Sequence, residues 1–137
     1  MQRRADYRDP ALPVDEQLER EILGSCFVED TALLSEVRAV MGDSDFAIED
    51  HRRMFRSLCR LADSGEPLTW TAVYGDMQAR HEPITLAALA DFSSAAWALD
   101  RMLRKAKDLA RRRELIFRSR DIMHQAAGLT LPLNELT

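Results

Sequence analysis

Lysine is almost missing from this chain. Of its nineteen basic residues only Lys105 and Lys107 are lysines, and the rest are arginines. Both lysines lie in a stretch without glycine, so no glycine-rich loop leads into a lysine that could cradle nucleotide phosphates. Cysteine is as scarce. Cys26 and Cys59 stand far apart, and no pair has the close spacing of a zinc site. The opening MQRRADYRDPALPVD lacks the apolar core of a secretory signal. The two thiols therefore read as small buried hydrophobes of a cytoplasmic protein, not as a disulfide. His51, His81 and His124 are isolated, with no H-x-x-x-H pair among them. No apolar run approaches the length that spans a bilayer, so no membrane partner is expected. Strand-like alternation of any length is also missing, which points to an all-α fold.

What is present is charge, unevenly placed. The net charge is −4, yet residues 101–120 hold nine Arg and Lys against two acids, or +7, which leaves −11 for the remainder. Guanidinium groups suit bidentate pairing with carboxylate or phosphate. Arg104, Arg111, Arg112 and Arg113 are the expected partner-binding set, turned toward an acidic protein surface. The plain alternative is a solvated helix with surface charge.

Helical periods fill most of the rest. Asp15 is placed to cap a first helix with Leu18, Ile22, Leu23, Cys26 and Phe27 on one side. Gly24, inside that helix, suggests close approach of another backbone. Asp30 is the expected cap of a second helix, stopped by Gly42 in the left-handed conformation. Ile48, His51, Phe55, Leu58, Cys59 and Ala62 form one helical stripe, ended by Gly65 and Pro67. Thr69 caps a helix whose apolar side is Trp70, Val73, Tyr74 and Met77. Thr85 caps a short one with Leu86, Leu89, Ala90 and Phe92. From Ser94 to Ala127 there is neither glycine nor proline. A helix of about thirty residues, capped by Ser93 or Ser94, would span about 45–50 Å. It is longer than the domain can cover. Met102, Ala106, Leu109, Ile116 and Phe117 are therefore the expected self-association stripe.

The expected architecture is a compact helical bundle of about five short helices followed by a long C-terminal helix. Residues 1–14 are a loose tail, 15–94 the bundle, 95–127 the long helix for self-association, and 128–137 a linker or the start of a second hairpin arm. No catalytic residue, metal or cofactor is expected. His51 lies on an apolar stripe, where packing explains it. Neither cysteine has the accessible, electropositive setting of a nucleophile. The carboxylates fall at caps and on the surface.

The ordered residues resemble a known family. LPVDEQLEREILGS, with Pro13, Asp15, Glu19, Leu23 and Gly24, is similar to the start of the N-terminal domain of bacterial replicative helicases of the DnaB family. Asp45-Phe46, His51-Arg52 and Phe55 follow in the family's order, then Leu61, Gly65, Pro67, Thr69 and Val73. Arg113, Leu115 and Ile116 sit where the family's hairpin helix has them, so the resemblance covers residues 13–120. The long helix departs from the pattern at Lys105, Arg111 and Arg112, where the family has aliphatics, and Thr69 replaces an acidic cap. The resemblance implies a non-catalytic collar on a helicase ring. That collar pairs with other subunits, docks primase or a helicase loader, and meets DNA only indirectly. The ATPase motor would lie in a separate domain outside these residues. Two rivals stand beside it. One is a small helix-turn-helix DNA-binding regulator built on LTWTAVYGDMQARHEPITLAALADF, although its second helix carries no basic residue. The other is the helicase-binding domain of primase, a similar bundle that DFAIEDHRRMF fits less well.

Overall fold

The computed structural model describes residues 11–27, 31–90, 92 and 95–128, with the backbone alone at Leu86 and Ala90. Among these residues there are six α-helices and no strand: α1 (Glu16–Gly24), α2 (Ala32–Val40), α3 (Glu49–Asp63), α4 (Trp70–Ala79), α5 (Leu86–Ala90) and α6 (Leu99–Gly128). Short 3-10 turns at Asp43–Asp45 and Ala96–Ala98 precede α3 and α6. The residues fall into two compact units. One is 15–108; the described part of the other is 11–14 with 109–128.

In the larger unit the caps do what their chemistry allows. Asp15 Oδ1 accepts the amide of Leu18 at 3.0 Å, with Glu16 and Glu19 in the first turn of α1. Thr69 Oγ1 accepts the amide of Ala72 at 3.2 Å, and Thr85 Oγ1 that of Ala88 at 3.1 Å. The core of this unit comes from each apolar stripe in turn: Ile22 and Leu23 from α1, Leu34 and Val37 from α2, Met54 and Leu58 from α3, Val73 and Met77 from α4. Leu89 of α5 and Leu99, Met102, Leu103 and Ala106 of α6 complete it. Each large apolar side chain so buried contributes about 1.5–3 kcal/mol. Phe46, fully buried, packs its ring 5.2 Å from that of Phe55.

Several boundaries differ from those the sequence predicts. Asp30 lies outside the described residues, and the N-cap of α2 is Thr31, without a side-chain bond. Gly42 is not left-handed: its φ is −104°, and α2 stops because Met41 is already extended. Gly42 instead donates its amide to Asp45 Oδ2 at 2.9 Å, which starts the 3-10 turn. Ser93 and Ser94 lie outside the described residues, and α6 begins at Leu99. Trp70, expected on the apolar side of α4, is half exposed, because at the first helical position its side chain precedes the buried row of Val73 and Met77.

Gly65 does close α3. Its φ of +75° lets its amide reach Ala62 O and that of Glu66 reach Leu61 O, a Schellman closure. The same pair of bonds closes α4, from His81 to Gln78 O and Glu82 to Met77 O, but the left-handed residue is His81, at φ +59°.

Candidate interaction surfaces

Polar side chains inside the larger unit meet in clusters that hold helices together. Glu19 of α1 is the first. Its Oε2 accepts the Ala47 amide at 2.7 Å, and its Oε1 accepts the Ile48 amide at 3.4 Å and bonds Nδ1 of His51 at 2.7 Å. Two amides already donate to this carboxylate, so the ring is its third donor. Ile48 is the N-cap of α3 and offers no side-chain bond, so the carboxylate of a distant residue caps that helix. Glu19 and His51 are both buried. Their bonds account for them as structural groups, and among the described residues no cluster of His, Cys, Asp and Glu could hold a metal.

Asp76 of α4 is the second. It accepts from Ser57 Oγ at 2.8 Å and from Arg60 Nη2 at 2.6 Å, tying α4 to α3. Burial alone would raise its carboxyl, but the hydrogen bonds from Arg60 and Ser57 outweigh it and hold the group below its ordinary value. Arg52, Arg53 and Arg56 of α3 pair with Glu49, Asp50 and Asp43. The cysteines are not poised for chemistry. Burial first, then the neighbouring Cys59, push Cys26 up to about 12, and burial also raises Cys59. Cys59 was expected on the core face but is only half buried. It lines an open groove of about 500 Å³ with Met41 and Phe55 as apolar floor and Arg38, Arg56 and Arg60 around it. Sequence reasoning missed Glu19 and Asp76 as organising residues. The available signal was an acid among the apolar positions of α1, one step from Leu18 and three from Ile22.

The long helix separates the expected interface residues into two groups. Met102 and Ala106 are buried in the larger unit and cannot also pack on a second chain; at i and i+4 they face its core. Leu109 and Ile116 are half buried, and Phe117 is 49% exposed. Leu115, Ile122 and Met123 are exposed as well, at 65%, 44% and 53%. Of the expected partner-binding arginines, Arg104, Arg111 and Arg112 lie on the surface, Arg104 paired with Asp100 one turn back. Arg113 does not belong with them. It is buried, and one of its donors bonds the carbonyl of Pro13 at 3.0 Å. The helix pair of the helix-turn-helix rival fails on size, because α5 has only five residues.

The model of the DnaB-like helicase N-terminal domain matches residues 11–111 of the sequence. The chain belongs to that family. The fold agrees: it is similar to the crystal structure of the N-terminal domain of DnaB helicase from Mycobacterium tuberculosis, with a TM-score of 0.78 over 92% of this chain and 93% of that one. Identity between the two is 18%, so this likeness speaks for the fold. The sequence has no match among curated proteins. As a DnaB-type N-terminal domain the chain has its place in DNA replication. None of its described helices is long and apolar enough to cross a membrane.

Proposed function

We propose that this DnaB-type domain is a non-catalytic collar. It self-associates through the second half of α6 and presents a surface to primase or a helicase loader. The observation that carries the reading is the unevenly covered helix. Its apolar residues Leu99, Met102, Leu103 and Ala106 are buried, whereas Leu115, Phe117, Ile122 and Met123 stand exposed within nine positions. Apolar side chains so close together on one helix suit a protein contact better than water. Leu109, Ile116 and Phe117 stay in the self-association set; Leu115, Ile122 and Met123 join it, and Met102 and Ala106 leave it.

Arg104, Arg111 and Arg112 support docking of an acidic partner surface, since guanidinium groups pair bidentately with carboxylates. DNA is the less favoured partner, because the −11 carried outside residues 101–120 would repel a duplex. The experiment is capture of primase or loader by the purified chain beside a DNA titration at two salt concentrations. Capture that weakens when Arg111 and Arg112 are both changed to Glu is the expected result. Tight, salt-sensitive DNA binding with neither protein captured would sink the collar reading.

A further inference from the structure

Residues 11–14 do not read as a tail in the structure. They belong to one compact unit with the second half of α6, and Arg113 Nη1 donates to the Pro13 carbonyl within it. Arg113 is only 7% exposed. Its place on α6 matters. Ile116 and Phe117 lie three and four residues beyond Arg113, and Leu109 four before it, so all four share one face of the helix. This row of side chains includes three of the residues through which a second copy is proposed to bind. A helix packing along such a row needs its axis about 8–10 Å away, with side chains interleaved. Leu12 and Pro13 are themselves half buried. A strap over the middle of the row and a second helix along it cannot share that space.

We propose that residues 11–14 form a displaceable strap, latched by Arg113, that competes with a second copy of this chain for the Leu109–Phe117 row of α6. The proposal rests on the self-association reading. The latch also sets a chemical condition on the incoming copy. Removing the Pro13 carbonyl takes one acceptor from a buried guanidinium, so a second copy that brings an acceptor of its own, a carboxylate or a free carbonyl, displaces the strap at less cost than one offering apolar contacts alone. The strap thus holds the row against contacts that are only apolar.

The test uses the full chain and two variants. Arg113→Gln removes the latch. Leu12→Gly with Pro13→Gly leaves α6 untouched and loosens the strap through chain entropy, and it serves if the first variant folds poorly. Sedimentation equilibrium reads association, and amide exchange at Leu12 and Val14 reads the strap. The expected result is faster exchange at both amides and self-association tightened by about tenfold, the low end for a hydrogen bond to a charged group. Adding Phe117→Glu should abolish that gain. If the parent chain associates and the variants associate equally or less, the strap is no competitor and the proposal falls alone. If neither the parent nor any variant associates, the self-association reading falls and the strap proposal with it.

Discussion

At the scale of single residues, the most consequential contact joins Glu19 to His51. The two are nearly excluded from water, and the carboxylate also serves the amides at the start of α3. Removing one partner of a buried hydrogen bond leaves the other unsatisfied, at a cost of about 1–3 kcal/mol. Glu19→Ala should therefore destabilise more than His51→Ala, since it strands two amides besides the ring. In a double-mutant cycle followed by urea unfolding, the two changes should be strongly non-additive. Additive losses would mean that the pair contributes nothing as a pair. Asp76 gives a second expectation, with a definite sign. Its folded carboxyl titrates below the ordinary 3.8. As pH falls, the unfolded chain takes up that proton first. The stability it supplies is complete above the ordinary value and is lost as pH drops through the lower folded one. Asp76→Asn should lower stability at neutral pH and flatten the acid limb of a stability–pH profile. A variant whose acid limb is as steep as the parent's would refute this.

Among the helices, ends are decided by backbone conformation, and α3 and α4 form a natural comparison. Both close with the same two hydrogen bonds, one around Gly65 and the other around His81. A side chain in the left-handed region costs about 1–2 kcal/mol, and glycine gives back part of any relief through its freer unfolded chain. Gly65→Ala should thus destabilise by about 1 kcal/mol although no atom lies within 4 Å of the added carbon. His81→Gly should stabilise by up to about 1 kcal/mol. Thermal melts of the two variants that shift in the same direction would contradict the closure argument. These ends also show what the sequence discloses. Asp15, Thr69, Thr85 and Gly65 act within a few residues of themselves, so their roles can be read from neighbouring letters. Gly42 misleads for the converse reason. Glycine permits the left-handed conformation without requiring it, and Asp45 draws its amide into a different turn. Glu19 capping α3 across 28 residues cannot be read locally, because the helix that receives the bond meets α1 only in the folded chain. Arg113 is hidden in the same way. Charge placed it on the surface, and the Pro13 carbonyl, 100 residues earlier, takes it inside.

The whole molecule turns on how α6 is covered. Beyond Arg113 the helix carries apolar residues on two sides. Ile116 and Phe117 continue the row of Leu109 and Arg113, while Leu115 and Ile122, seven residues apart, fall near the opposite side, beside the helical rows of Arg104, Arg111 and Arg118. A helix with apolar residues on two sides calls for two neighbours. The inner row is contested by residues 11–14, but nothing among the described residues latches onto the outer one in the same way. The two rows should therefore respond differently to substitution. Changing both Leu115 and Ile122 to Lys places charge where an apolar contact is proposed, and truncation-grade losses at the centre of an interface run to about 2 kcal/mol or more, at least tenfold in dissociation constant. That loss should be the same whether or not Arg113→Gln has released the strap. Phe117→Glu, on the inner row, should weaken association far more in the released variant than in the parent. Both sets of side chains are substantially exposed, so circular dichroism should show helix content unchanged and separate lost contact from lost fold. Sedimentation equilibrium of the four combinations decides the matter. If Phe117→Glu and the Leu115/Ile122 pair lose affinity equally in both backgrounds, the two rows form one interface, and the strap has no part in governing it.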